Sequence, residues 1–239
     1  MYKIAAVLIF LLLFTGVYAQ KKKSKSKGKE NPTWFNLELK GGGGTSLFSN
    51  SNISKDKQIN SYNFGFNPVF GIGLGCHIIE GLAVQIEKNW NTISQKYTYK
   101  NSLPDRTYKF KTGDLGFFVR KTGSGGGFVG LGFKFANVRQ TTNSDSLYFF
   151  KNKFSFLHLE FGGPVWQNNM FDINLNIRFG YGMNDIVNSK LYQPGAYQVY
   201  PSYKPTSPIT LQAMICFNWH VGYWATSNCK HTGFLFFTN

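Results

Sequence analysis

The sequence predicts an all-β protein, an eight-stranded antiparallel up-and-down transmembrane β-barrel behind an export signal. Three observations predict it. Stretches of two-residue alternation recur along the chain, and no sustained helical period follows the first 20 residues. The connections between those stretches alternate between short and long, the habit of outer-membrane barrels. One face of each stretch is aliphatic or aromatic, while the other carries full charges with glycine between them.

Composition sets the frame. The 239 residues suffice for one domain. Aromatics reach 18%, with 24 Phe and 13 Tyr, while charged residues are only 15%, which disfavours disorder and suits strands and tight turns. The formal charge is +15, but residues 31–239 hold 19 Lys and Arg against 10 Asp and Glu, or +9. An exported chain with this balance meets anionic lipid, lipopolysaccharide phosphates or acidic polymers, and nucleic acid is not expected as a partner. The three cysteines, Cys76, Cys216 and Cys229, lack metal-ligand spacing. Cys216 and Cys229 could pair in an oxidising compartment; spectator thiols are the simpler reading.

The first 19 residues read as a signal peptide. Lys3 precedes an apolar run from Ile4 to Phe14, about 11 residues and too short for the roughly 20 that span a bilayer. Cleavage is expected after Ala19, with Val17 and Ala19 at the recognition positions. Residues 20–32 form a basic linker. Lys21, Lys22, Lys23, Lys25, Lys27 and Lys29 have no apolar periodicity around them, so a disordered arm is expected. Any role for it would be electrostatic, as a tether to an acidic polymer or partner domain.

The barrel is expected over residues 33–224. Its first strand sets Phe35, Leu37 and Leu39 against Asn36, Glu38 and Lys40. The second sets Phe64, Phe66, Phe70, Ile72 and Leu74 against Gly65, Asn67, Gly71, Gly73 and Gly75. The third sets Leu82, Val84 and Ile86 against Ala83, Gln85 and Glu87. The fourth sets Leu115, Phe117 and Val119 against Asp114, Gly116 and Arg120, with Phe118 as an exception. The fifth sets Val129, Leu131, Phe133 and Phe135 against Gly130, Gly132 and Lys134, and the sixth sets Leu157, Leu159 and Phe161 against His158, Glu160 and Gly162. The seventh, FDINLNIRFGYGM, sets Phe171, Ile173, Leu175, Ile177, Phe179 and Tyr181 against Asp172, Asn174, Asn176 and Arg178. The eighth sets Ile209, Leu211, Ile215, Phe217, Trp219 and Val221 against Thr210, Gln212, Asn218 and His220. Residues 225–239 are left as a C-terminal tail.

Short connections fall at 79–81, 121–127 and 167–170, and long ones near 48–61, 100–107, 140–150 and 188–207. The short ones are expected in the periplasm and the long ones outside. Tyr97, Tyr99, Tyr108 and Phe110 lie near one long loop, and Tyr148, Phe149 and Phe150 near another; both groups are expected as rims at the membrane–water interface.

A soluble sandwich would turn its apolar faces inward. A membrane barrel turns them to lipid and encloses the polar face. The expected lumen network is then Glu38, Lys40, Glu87, Asp114, Arg120, Lys134, His158, Glu160, Asp172, Arg178 and His220, with glycines leaving room for the long side chains.

Several stretches resemble one family. LELKGGGGTSL, NPVFGIGLG, LAVQIE and above all NIRFGYGMNDIVNS make the chain similar to the small PorT-like outer-membrane β-barrels of Bacteroidetes-type bacteria, over roughly residues 33–223. These motifs are compositional, not catalytic. The resemblance implies an outer-membrane location and a link to a secretion apparatus.

No chemistry is legible. GGGG at 41–44 and GSGGG at 123–127 lack the Lys-Ser or Lys-Thr end of a phosphate loop. His77, His158, His220 and His231 form no HExxH, and no serine sits in a nucleophile elbow. No catalytic, cofactor-binding or metal site is expected. The leading expectation is a non-enzymatic envelope component, accessory, structural or adhesive, with outer-membrane lipid, lipopolysaccharide and envelope or secretion-system proteins as partners. The alternative is a narrow channel or small-ligand transporter.

Overall fold

The alternating stretches become long strands that close on themselves. The computed structural model describes residues 33–79, 81–100, 103–123, 125–142, 148–167, 171–188, 193–197, 200–226 and 232–235. The expected signal peptide and basic arm lie outside them. The strands are β1 (Thr33–Ser49), β2 (Ile59–Asn63), β3 (Asn67–Ile79), β4 (Leu82–Tyr99), β5 (Arg106–Thr122), β6 (Phe128–Thr141), β7 (Lys153–Gln167), β8 (Phe171–Gly182), β9 (Ser207–Thr226) and β10 (Thr232–Leu235).

Eight of them, β1 and β3 to β9, pair antiparallel in a closed ring. The ring closes where β1 meets β9, in unbroken register from Thr33 opposite Tyr223 down to Ser49 opposite Ser207. Closure removes the edge strands that would leave backbone groups unpaired. Two strands lie off the ring. β2 pairs with the far end of β4, from Ile59 opposite Tyr99 to Asn63 opposite Lys96, and continues the wall beyond β3. β10 pairs with the end of β9, Thr232 opposite Thr226, so part of the expected tail is a strand.

The short turns, with Gly81 at φ 74° in one of them, lie at one end of the barrel. The longer connections lie at the other. They include the 3-10 turn Ile53–Lys55 and the segment between β8 and β9.

Polarity alternates across the wall. Leu39 is 59% exposed and its neighbour Glu38 1%; Ile86 is 50% exposed and Glu87 1%; Ile177 is 49% exposed and Arg178 0%. The outer wall is mostly apolar, and the strand carboxylates and their paired cations are inside, the reverse of a soluble sandwich. Phe118, the exception in its strand, follows parity and points inward, buried.

The aromatic rims need correction. Tyr97, Tyr99, Tyr108, Phe110 and Phe150 are buried inside the loop end of the barrel with Phe48, Phe154 and Phe156. Tyr97 and Tyr99 share the parity of Glu87 on β4, and Tyr108 and Phe110 that of Asp114 on β5, so each strand that aims its carboxylate inward aims these rings inward too; Phe150 lies in the connection before β7, bridged to Val187. Tyr148 alone of the expected rim residues is largely exposed. Trp166 and Trp219, which the sequence reading did not assign to a rim, are exposed on the outer wall toward the turn end.

Candidate functional site

The lumen has three zones stacked along the barrel axis. The middle zone is a network of charges. Register places Glu38 opposite Gly73, Gly73 opposite Glu87, Glu87 opposite Gly116 and Gly116 opposite Lys134, so glycine alternates with a long side chain from strand to strand. The spacing is sterically required. A β-carbon at Gly73 would lie 2.5 Å from the Gln85 amide nitrogen, and one at Gly132 would lie 2.2 Å from the Phe118 ring.

Three carboxylates and three cations interlock there. Lys40 Nζ lies 2.6 Å from Glu38 and 2.8 Å from Glu87. Arg120 donates to Glu38 at 2.9 Å and to Glu160 at 2.6 Å. Arg178 grips Glu87 with both terminal nitrogens, at 3.0 and 2.7 Å, and donates from Nε to Glu160 at 3.0 Å and from Nη2 to Glu160 as well. Its guanidinium lies 4.1 Å over the Phe118 ring. Buried ions are tolerated only when matched by opposite charge, and each of these has an oppositely charged partner within 3 Å. Lys134 and Asp114 form a looser pair at 3.5 Å beside them.

Neutral amides fill the remaining acceptor positions. Gln85 donates to Glu38 at 2.7 Å, Asn89 to Glu87 at 2.8 Å and Asn176 to Glu160 at 3.1 Å. The sequence reading did not assign these three to the network. Their strand parity was the available signal, since Gln85 and Asn176 alternate with Glu87 and Arg178. Cys216, also in the lumen, is a free thiol that accepts from Asn176; Cys229 lies outside the described residues.

The turn-end zone is a polar vestibule. Asp172 faces His220 Nε2 at 2.9 Å and accepts from Asn218 at 2.5 Å and Asn174 at 3.0 Å. Asn36 donates to Asn218 at 3.3 Å. These residues surround a cavity of about 150 Å³ whose inner wall includes Arg120. Asp172 and His220 thus stand apart from the central network. His158 stands apart as well, buried between Phe118 and Phe156, with ring centroids 6.1 and 5.6 Å away.

The loop-end zone is aromatic. Phe110 packs against Phe150 at 4.9 Å and Phe154 at 5.9 Å, and Tyr97 meets Tyr108 edge-on at 6.0 Å. Connections fold onto this cluster. Ile53, Ile186 and Val187 are buried in it, Tyr99 donates to the Gly195 carbonyl at 2.5 Å, and Gly195 N–H donates to the Tyr108 hydroxyl at 3.2 Å. Asp185 anchors the segment before β9 by accepting from Thr206 N–H at 3.0 Å and from the Tyr203 hydroxyl. Burial, followed by that hydrogen bond and the negative charge of Asp185, raises the Tyr203 phenol above its ordinary range.

No protein-family model matches the chain. No curated protein matches it either. Among solved structures, the outer-membrane protein OprG of Pseudomonas aeruginosa is similar at 12% identity and TM-score 0.49, over 80% of this chain and 97% of that one. Neisserial surface protein A follows at 12% identity and TM-score 0.41, over 78% and 96%. The outer-membrane protein AlkL, solved in lipid bilayers, follows at 11% identity and TM-score 0.41, over 84% and 98%. At these scores the likeness carries no argument, and the barrel rests on its own strand pairing.

Proposed function

We propose that the protein is a non-enzymatic outer-membrane barrel with a sealed lumen, acting through its surfaces as an accessory or structural component of the cell envelope. The inversion of polarity across the wall carries this reading. A wall of exposed Leu, Ile, Val and Phe around a charged interior is unfavourable in water and favourable in hydrocarbon, where every backbone group must also be satisfied by closure. The long connections are then on the outer face of the membrane and the short turns in the periplasm. The resemblance of NIRFGYGMNDIVNS and its companions to PorT-like barrels favours a partnership with a secretion apparatus over adhesion.

The narrow-channel reading is less favoured. The charge network fills the middle of the lumen and the aromatic cluster fills the loop end. An eight-stranded barrel has room for side chains and little more. Neither His158 nor His220 points to the lipid side, where a membrane enzyme would meet its substrate.

Planar-bilayer recording of the pure, folded protein tests the sealed lumen. No stable conductance is expected at neutral pH. Steady ion-selective openings would replace the accessory reading with the channel. Cysteine labelling of whole cells on a cysteine-free background tests the orientation: Lys57→Cys, beyond the 3-10 turn, should label from outside and Gly125→Cys should not.

A further inference from the structure

One sector of the outer wall breaks the apolar rule toward the loop end. There the outward-facing residues Trp90, Gly113, Asn137 and Lys153 run level across β4, β5, β6 and β7. The Arg139 side chain lies across Gly113: a β-carbon at that glycine would sit 2.5 Å from Arg139 Nε. Lys111 is two residues from Gly113 on the same face of β5, about 7 Å along the strand. Lys88 pairs with Leu115 and is diagonal to Gly113, about 7–8 Å away, between the outward-facing Ile86 and Trp90.

Among the described residues no carboxylate balances this sector. Lys88, Lys111, Arg139 and Lys153 have no ion-pair partner among the described residues. Glu87 and Asp114, on the same strands, point into the lumen. Asp105 is held by Lys96 at 2.9 Å, Asp56 accepts from Tyr200 at 2.6 Å, and Asp185 is held by Tyr203. A lysine set among lipid-facing residues is unfavourable unless its ammonium reaches an interfacial anion along its own stem. Lys88 is such a lysine, and the other three cations lie toward the loop end, where its stem would lead.

We propose that Lys88, Lys111, Arg139 and Lys153 form a docking surface for the phosphate groups of a phosphorylated glycolipid of the outer leaflet, a lipopolysaccharide lipid. The proposal rests on the reading of the outer wall as lipid-facing with its loop end outward. Arg139 offers a planar fork that matches phosphate oxygens, and the lysines add point charges around it. Trp90, Leu115 and Phe135, exposed on the adjoining wall, receive the acyl chains. The height of the patch selects a lipid: Lys88 sits within the apolar wall, where a soluble acidic protein has no approach.

The test is native mass spectrometry of the full folded protein in detergent, titrated with bisphosphorylated lipid A, its dephosphorylated form and phosphatidylglycerol, with inorganic phosphate as competitor. The triple variant Lys88→Gln, Lys111→Gln, Arg139→Gln should bind bisphosphorylated lipid A at least about tenfold more weakly than the wild type. Lys55→Gln, Lys57→Gln, Lys204→Gln removes the same charge from the loops and should stay within about twofold. Removing the phosphates from the lipid should weaken binding to the wild type as much as the triple variant does. Equal binding by triple variant and wild type overturns the proposal. So does an equal loss in the loop variant, equal retention of phosphatidylglycerol, or displacement by inorganic phosphate. If the triple variant does not fold, the single exposed change Lys111→Glu should weaken binding in the same direction, and no change there overturns the proposal too. Failure of the membrane reading is distinct: a protein that does not insert into phosphatidylcholine vesicles refutes it, whereas insertion with unaltered lipid A binding by the variants overturns only the docking surface.

Discussion

The middle and the loop end of the lumen are built from the same strands with the same inward parity, yet they are sealed by opposite chemistry. In the middle, Glu38, Glu87 and Glu160 are matched by Lys40, Arg120 and Arg178, all contributed by the strand wall. At the loop end, Phe110, Phe150, Phe154 and Tyr108 pack together, and Ile53, Ile186 and Val187 reach in from the connections. The difference teaches where each seal derives its strength. A charge network needs fixed geometry, which the hydrogen-bonded ring supplies. An aromatic cluster tolerates imprecise geometry but needs covering, which only the loops supply. The middle should therefore fail globally and the loop end locally.

The largest effect expected is from Arg178→Met. It strips both Glu87 and Glu160 of a buried partner, a change that costs about 3–5 kcal/mol. Urea unfolding of the barrel in lipid vesicles should show the loss as a single lowered midpoint. A near-wild-type midpoint would mean that water already screens the network, and the contrast with the loop end would collapse.

A charge placed outside the wall sharpens the assignment of faces. Ile177→Arg should destabilise by about 2–4 kcal/mol if it lies near the midplane, because it faces hydrocarbon. Asn174→Arg should cost less, since it enters the turn-end vestibule. Equal losses in vesicles, or the reverse order, would contradict the inside–outside assignment.

At the loop end the expected changes are smaller. Phe110→Leu keeps an apolar side chain in the cluster and should cost under about 1.5 kcal/mol in global unfolding. Hydrogen exchange should rise in the segments around Ile53 and Ile186 while the middle strands stay protected. A uniform rise over the strands would make the two zones one cooperative unit.

The smallest effect expected is a pH response confined to the loops. The Tyr203 phenol titrates above its unfolded value near 10. Its contact with Asp185 therefore stabilises fully below about pH 10 and is lost as the pH rises through the folded value. Limited proteolysis across that range should show cleavage near Tyr203 increasing in alkali while the heat-modifiable band persists. Tyr203→Phe should abolish the pH dependence of cleavage.

The sequence by itself determined the eight ring strands, their antiparallel order and the inward set of charges, because a period of two leaves only one alternative register for each face. Glu38, Lys40, Glu87, Arg120, Glu160 and Arg178 were legible as an inward set on that ground alone. Their pairing was not. Arg178 finds Glu87 across 91 residues, through a lumen that exists only once β1 meets β9. The inward course of Tyr97, Tyr99, Tyr108 and Phe110 was hidden for a related reason. Their parity was readable, but aromatic rings near a long loop fit a membrane rim equally well until the connections are seen folding over them. The strands β2 and β10 stayed unread as well, because each is defined by pairing with the end of a longer partner rather than by its own pattern. Local alternation fixes the direction of a side chain, whereas its partner depends on ring closure, shear and loop placement, which only the tertiary structure decides.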